Sequence, residues 1–234
     1  MHHRIYTTGP FEPGSDITVG GEEFHHAVRV VRVREGEAVE LFDGGGRAAA
    51  GSVKSIGQDA VVIATGALID SRESPLATTL AMAIVALEKF ELVLQKATEL
   101  GVASIVPIVT SRVELRPERY RGKQERWRKI VFEAVKQCGR AAIPRLEPAA
   151  EFDEVVARNG VKLFFDADAE PDPLSGRPSA ITLFIGPEGG WSDDELRRAR
   201  AHGCVFQRLG PRRLRAETAA IAALTKTAAA FGDL

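Results

Sequence analysis

A glycine-rich loop near the C-terminus is the segment of this 234-residue chain best suited to hold a ligand. It spans residues 186–190 (GPEGG), between an apolar run at 181–185 and a helix that is predicted to begin at Ser192, where Ser192 and Glu195 form a capping box. Glycines let the backbone approach a ligand closely, and α/β sheets bind ligands beyond the carboxyl ends of their strands. The loop lacks both GK[ST] and GxGxxG spacing, which disfavours the two common nucleotide-binding motifs. Taken alone, the glycines also fit an ordinary strand-to-helix turn.

A second loop, rich in arginine, follows the last predicted strand. Residues 209–218 read LGPRRLRAET and place Arg212, Arg213 and Arg215 just before a helix that is predicted to begin at Glu217. Cations at a helix N-terminus oppose the helix dipole, and such broken local rules are expected at functional sites. Any single arginine here also fits a solvated surface charge. Together, two loops at neighbouring strand ends predict a pocket.

Charge is distributed unevenly along a nearly neutral chain. The net charge is −1, which disfavours a protein that coats nucleic acid without selectivity. Residues 112–140, however, contain ten Lys or Arg and only four Asp or Glu. This segment is therefore a candidate for contact with phosphate groups.

Membrane, metal and disulfide classes receive little support from the sequence. The absence of a run of 18 uncharged apolar residues predicts no membrane association and favours a cytoplasmic location. Cys138 and Cys204 lack zinc-site spacing and are predicted to be buried structural thiols, so no metal is expected. Adjacent His25 and His26 would point in different directions on a helix, which favours scaffold roles over a metal site or a general base.

Two patterns of apolar residues predict an α/β protein with two domains. Alternating residues over 1–70 predict a small β-barrel with one short helix at 22–34. The polar segment 71–75 ends in a proline and is predicted to be a linker. Over 76–234, apolar runs alternate with amphipathic helices, which is typical of a largely parallel sheet. The predicted strands are 16–19, 39–42, 48–53, 60–67, 80–85, 104–109, 162–165, 181–185 and 205–209, and the other predicted helices are 88–100, 123–138, 192–203 and 217–231.

Several motifs in a fixed order give the chain a family resemblance. It resembles the ribosomal RNA small-subunit methyltransferase E family of the SPOUT superfamily of knotted methyltransferases. GPEGG alone is shared by related methyltransferases, whereas the combination and order of the motifs are specific. They are 26–32 (HAVRVVR), 88–91 (EKFE), 95–102 (QKATELGV), 137–140 (QCGR), the GPEGG loop with Ser192 and Glu195, the LGPR-x-LR-x-ET segment, and 231–233 (FGD).

The resemblance implies a fold, a reaction and a cofactor site. The implied fold is a small N-terminal PUA-like RNA-binding β-barrel followed by a SPOUT α/β domain with a C-terminal trefoil knot. The implied reaction is methylation of N3 of one uridine in the 16S rRNA of the 30S subunit, by a homodimer that uses S-adenosylmethionine (SAM). Carried over residue by residue, the cofactor contacts are Phe165, Gly186, Pro187, Glu188, Gly189, Gly190, Leu209, Gly210, Leu214 and Arg215.

Catalysis requires loss of the N3 proton and stabilisation of charge on the uracil oxygens. As a hypothesis, Arg215 stabilises those oxygens, while Glu217 or Glu99 orients Arg215 or accepts the proton. An acidic residue in a first helical turn also simply favours the helix dipole, so Glu217 has a structural alternative. The residues expected to bind RNA are Arg29, Arg32, Arg112, Arg116 and Arg140, each of which also fits a solvated helix face.

The chain departs from the family pattern at two places, and two rival functions stay open. Arg213 replaces a usual aliphatic residue, and Thr110-Ser111-Arg112 replaces a frequent Ser-Glu-Arg. One rival is a SPOUT methyltransferase that acts on tRNA or 23S rRNA, including at a ribose; the N-terminal barrel and QCGR disfavour it. The other is an inactive RNA-binding or assembly protein, which the intact glycine loop and LRAET disfavour.

Overall fold

The computed structural model describes residues 3–113, 117–174 and 176–231 and divides the chain into two compact units. The first unit comprises Met1–Glu73 and Val135–Ile143, and the second comprises Ser74–Ala134 and Pro144–Leu234. No pattern in the sequence indicates that 135–143 belongs with the N-terminal residues. Among the described residues, no helix has both the length and the apolar character needed to span a membrane.

The first unit is built on a five-stranded sheet with the order β1-β3-β4-β5-β2. Its neighbours pair antiparallel except β1 and β3, which are parallel. Buried and accessible residues alternate along β5, so one face forms the core, as the period-two pattern predicted. The strands are β1 (His3–Tyr6), β2 (Asp16–Gly20), β3 (Ala38–Phe42), β4 (Ala48–Ile56) and β5 (Ala60–Ile69).

The short helix predicted for this unit is present, but half of it has an unusual geometry. Helix α1 (Gly21–His25) continues as a π-helical segment over His26–Val31, in which hydrogen bonds span five residues. It ends at Arg32, whose φ of 62° lies in the left-handed region. Within the segment, the side chain of Ala27 is buried. Arg29, in the last turn of the segment, and Arg32, at its end, are both exposed.

The second unit contains a parallel sheet with the order β12-β10-β11-β6-β7-β8, and β9 also pairs with β7. Parallel strands that are covered on both faces are buried throughout, which explains the continuous apolar runs in the sequence. Leu80 to Ala83 are fully buried in β6. The strands are β6 (Ala77–Ala83), β7 (Ser104–Val109), β8 (Arg145–Leu146), β9 (Ala150–Glu151), β10 (Val161–Phe165), β11 (Ala180–Ile185) and β12 (Val205–Gln207).

The four helices predicted after residue 76 are all present. Helix α6 carries the predicted capping box: the Ser192 hydroxyl accepts from the Glu195 N–H, and the Glu195 carboxylate accepts from the Ser192 N–H. One prediction for α4 is wrong, because Cys138 at its end is only partly buried, whereas Cys204 is buried as expected. The helices are α2 (Leu87–Glu99), α3 (Pro117–Tyr120), α4 (Gln124–Cys138), α5 (Phe152–Val156), α6 (Asp193–Ala201) and α7 (Ala216–Phe231).

Candidate active site

A cleft of about 300 Å³ lies in the second unit where three neighbouring strands end. Strand β10 pairs with both β11 and β12, so the loops that leave the three carboxyl ends converge. The loops after β11 and β12 are the two that the sequence singled out. The loop after β10, Asp166 to Asp168, forms a third wall. The volume lies at the lower end of the range for small-molecule sites.

Trp191 lies beneath the glycine loop and determines its shape. Its indole N–H donates to the Phe165 carbonyl oxygen at 3.0 Å, and its ring packs on Phe164 at a centroid distance of 4.4 Å. A Cβ atom placed on Gly186 would come within 2.9 Å of the Trp191 ring. Gly190 adopts a φ of 68°, which favours glycine. Both glycines are therefore required by the local geometry, beyond making an ordinary turn.

Two cationic side chains hold the outer side of the same loop. Lys89 Nζ, near the start of α2, lies 3.0 Å from a Glu188 carboxylate oxygen. The guanidinium of Arg112 donates to the Gly189 carbonyl oxygen at 3.0 Å. Arg112 also lines the cleft. The loop is thus attached to α2 and to the turn that follows β7.

A buried carboxylate connects this turn with the start of α6. Glu195 is 1% exposed and accepts four hydrogen bonds, from the backbone N–H and the hydroxyl of both Ser111 and Ser192, at 2.8 to 3.0 Å. Burial alone would raise the pKa of Glu195, but the backbone and hydroxyl hydrogen bonds together lower it below its ordinary value. Glu195 is therefore a buried anion that fixes both segments beside the glycine loop.

The arginine-rich loop after β12 is held more weakly. Arg213 pairs with Asp168 at 2.8 Å, and both side chains are more than 70% exposed. The Arg208 carbonyl oxygen accepts from Lys226 Nζ at 3.4 Å. Arg208, Arg212 and Arg213 all line the cleft. This wall is charged and faces solvent.

Comparison with known proteins identifies the family of the chain. The family described as "RNA methyltransferase domain" matches residues 72–228, and the one described as "RNA methyltransferase PUA domain" matches 19–65. The ribosomal RNA small subunit methyltransferase E of Synechocystis is 31% identical over 90% of this chain and 72% of its own length. That of Bacillus subtilis is 29% identical over 94% and 92%. The chain belongs to the ribosomal RNA small subunit methyltransferase E family.

Two solved structures share the complete fold with this family member. The ribosomal RNA small subunit methyltransferase E of Neisseria gonorrhoeae, solved with S-adenosyl methionine bound, is 30% identical over 100% of both chains, with a TM-score of 0.91. A Legionella pneumophila protein solved with SAM bound is 36% identical over 98% of both chains, with a TM-score of 0.86. The expected fold class, a PUA-like sheet followed by a parallel α/β SPOUT domain, is thereby confirmed.

Nine of the ten residues predicted to bind cofactor in this methyltransferase lie around one cleft. Arg215 is the exception: it is exposed and is not among the lining residues, although its neighbours Leu214 and Ala216 are. The predicted residues that do line the cleft are Phe165, Gly186, Pro187, Glu188, Gly189, Gly190, Leu209, Gly210 and Leu214.

The two predicted acidic residues of the methyltransferase lie outside this lining and in different environments. Glu217 is in the first turn of α7, and its Oε2 atom is buried without a hydrogen-bond partner among the described residues. Glu99, at the end of α2, places both carboxylate oxygens within 3.0 Å of Lys96 Nζ. Of these two residues, only Glu217 has a buried carboxylate oxygen that can still accept a hydrogen bond or a proton.

The residues predicted to bind RNA fall into separate environments. Arg29 and Arg32 are exposed in the first unit, and Arg112 lines the cleft of the second. Arg116 lies outside the described residues. Arg140 is only 5% exposed, and its guanidinium contacts the Glu73 carboxylate at 2.6 and 3.0 Å. As placed here, Arg140 stabilises the first unit and does not offer its charge to a phosphate.

Sequence reasoning missed several residues that line the cleft, and three of them bear on its shape or charge. Trp191, Asp166 and Asp168 all line it. The position of Trp191, between a glycine loop and a helix cap, was a usable signal, because an apolar residue before an N-cap commonly packs inward. Asp166 and Asp168 directly follow a buried strand, and polar residues at strand ends gave the signal that was used for the other two loops.

Proposed function

We propose that this chain methylates N3 of a specific uridine in the 16S rRNA of the 30S subunit, with SAM bound in the cleft. The observation that carries the proposal is the convergence of three strand-end loops on one cleft, in a chain that belongs to this methyltransferase family. Relatives named for the small ribosomal subunit support the substrate. The family resemblance further supports a cytoplasmic homodimer with a knotted C-terminal domain.

The residues of the cleft fit such a cofactor. The Trp191 ring occupies the space where a side chain at position 186 would extend, so the backbone of 186–190 borders the cavity directly. Backbone N–H and carbonyl groups can then hold polar ligand atoms, with Phe165, Leu209 and Leu214 as the apolar lining. Once bound, the cofactor supplies an electrophilic methyl group.

The remaining chemistry belongs to the protein. The methyl group replaces a proton on N3, so a base must accept that proton and cations must stabilise charge on the uracil oxygens. Within this proposal Glu217 orients Arg215 or accepts the proton, because its buried Oε2 has no partner among the described residues, whereas Glu99 is paired with Lys96. Arg215, two residues earlier and exposed, stabilises the oxygens.

RNA positioning is assigned to exposed cations in both units. Arg29 lies in the π-helical segment, Arg32 ends it, and Arg112 borders the cleft. Phosphate contacts of this kind set register and orientation without reading sequence. Arg140 is left out because it is buried against Glu73.

Methyl transfer to 30S subunits tests the proposal. The purified protein is incubated with labelled SAM and with 30S subunits from cells that lack this modification, and the labelled base is then mapped. We expect one methyl group on N3 of one uridine. Label in tRNA or 23S rRNA, or on a ribose, would show that the substrate is the one expected for the rival methyltransferase. Absence of methyl transfer to any RNA would indicate an inactive RNA-binding protein.

Replacing Arg215 tests its assigned role. In Arg215→Ala we expect uridine methylation to fall by about 100-fold or more, as when one charge-stabilising donor is lost, while SAM binding stays measurable. Arg197→Ala is the matched control, because Arg197 is an exposed arginine of the same unit that pairs with Asp194 and does not line the cleft. Full activity of Arg215→Ala would remove Arg215 from the mechanism.

A further inference from the structure

Four arginines line the cleft, and they differ in what they already bind. The guanidinium of Arg112 donates to the Gly189 carbonyl oxygen, and that of Arg213 pairs with Asp168. The guanidinium groups of Arg208 and Arg212 make no hydrogen bond or ion pair with any residue that the structure describes. Two of the four cations are therefore available to a ligand.

The surroundings of Arg208 and Arg212 are unfavourable for cations that bind no anion. Arg212 lies four residues before α7, which begins at Ala216, and cations beside a helix N-terminus oppose its dipole. Lys226 adds a third positive charge, since its Nζ contacts the Arg208 carbonyl oxygen. An anion at this wall would relieve the repulsion.

The proposed cofactor does not provide that anion. SAM carries a sulfonium, an ammonium and one carboxylate, so its net charge at neutral pH is positive. A site for a net cation gains nothing from unneutralised arginines at its wall. The other proposed ligand, RNA, has one negative charge for each nucleotide.

We propose that Arg208 and Arg212 bind phosphates of the RNA backbone on either side of the target nucleotide. This inference rests on the proposed function and adds two contacts at the mouth of the cleft. A guanidinium binds a phosphate through two parallel hydrogen bonds, so it fixes orientation as well as position. Arg208 and Arg212 are thus positioning residues that hold the backbone while the base enters the cleft.

The dependence of RNA binding on salt concentration tests this assignment. Affinity for undermethylated 30S subunits is measured across a salt series for the unaltered protein, Arg208→Gln, Arg212→Gln and the double variant. Each lost phosphate contact should reduce the slope of log K against log salt by about 0.7 to 0.9. Each single variant should also weaken binding by about tenfold, the loss of one charge-assisted hydrogen bond. SAM affinity, measured by calorimetry, should not change.

The control is Arg177→Gln. Arg177 is exposed, has no ion-pair partner among the described residues and does not line the cleft, so its replacement removes the same charge elsewhere. The salt slope of Arg177→Gln should equal that of the unaltered protein. Thermal unfolding of each variant tests whether it folds as the unaltered protein does.

Two results would overturn the assignment. One is an unchanged salt slope in the double variant. The other is weaker SAM binding with unchanged RNA binding, which would show that the arginines hold the carboxylate of the cofactor. Failure of the proposed function is a separate result, because it appears as absence of N3 methylation by the unaltered protein, while the slopes of the variants still decide the phosphate contacts.

Discussion

The two loops that the sequence singled out form opposite kinds of wall around one cleft. The glycine loop, 186–190, lies on the buried Trp191 ring and is held by Lys89 and Arg112. The arginine-rich loop, which covers residues 208–215 between β12 and α7, is largely exposed. It is held by the exposed Arg213–Asp168 ion pair and by the 3.4 Å hydrogen bond from Lys226. Packing therefore holds the first loop in place, whereas the second loop is held mainly by charged groups at the surface.

This difference indicates a division of roles. A wall of backbone groups held over a buried ring provides a fixed surface, which suits recognition of a small ligand. A charged, exposed wall suits a polyanion, because its contribution comes from electrostatic attraction that needs no exact fit. Substitutions in the first loop should consequently affect stability and cofactor binding, and substitutions in the second should affect RNA binding.

The largest loss of stability is expected for Glu195→Ala, behind the glycine loop. The substitution leaves the N–H groups and hydroxyls of Ser111 and Ser192 without their buried acceptor. We expect the free energy of unfolding to fall by about 3 kcal/mol, as for buried donors that lose a charged partner. Denaturant unfolding measures it. Asp194→Ala, an exposed neighbour in the same helical turn, is the control and should cost less than about 1 kcal/mol.

The difference in stability between the unaltered protein and Glu195→Ala should decrease as the pH falls. Because the folded state lowers the pKa of Glu195 below the ordinary 4.5, its stabilising contribution is complete above that pH. It is lost as the pH falls through the lowered value, where the folded carboxylate becomes protonated. The gap between the unaltered protein and Glu195→Ala should narrow in acid, and a gap that widened there would contradict the buried-anion assignment.

Gly186→Ala should produce the next largest effect. Its Cβ would lie 2.9 Å from the Trp191 ring, so the ring or the loop must move. We expect a loss of about 2 kcal/mol in stability from overpacking. SAM affinity should fall by about tenfold or more, equivalent to at least 1.4 kcal/mol. Thermal unfolding and calorimetry measure the two changes.

A glycine with room for a methyl group provides the comparison for Gly186. A Cβ on Gly45 would meet only ordinary contacts, 3.5 Å from the Asp43 carboxylate, and its φ is not positive. Gly45→Ala should leave stability and SAM affinity nearly unchanged. Equal effects of the two substitutions would show that contact with Trp191 does not distinguish position 186.

Local sequence patterns predicted the elements of the fold but not the contacts between distant residues. The start of α6 followed from the Ser192–Glu195 capping box, because this signal acts within a few residues. Strand β1 was missed, since four residues are too few to show a period. The π-helical hydrogen bonds over His26–Val31 were also beyond prediction, because the residues there fit an α-helix equally well.

Burial of charged residues was the main point at which sequence reasoning failed. Arg140 was predicted to be a surface cation, yet its partner Glu73 is 67 residues away in the chain. Glu195 was recognised as a cap, but its bonds to Ser111 span 84 residues. Such pairs depend on tertiary structure and leave no local pattern. The cleft could be placed because it depends only on where neighbouring strands end.

The smallest effect is expected for the ion pair that joins the two loops beyond β10 and β12. Arg213 and Asp168 are both mostly exposed, so water and salt screen their attraction. A double-mutant cycle with Arg213→Ala and Asp168→Ala should give a coupling energy of no more than about 0.5 kcal/mol in denaturant unfolding. It should decrease further at high salt. A coupling well above that range would mean that the arginine-rich loop is held as firmly as the glycine loop, and the contrast between a packed wall and a charged wall would no longer hold.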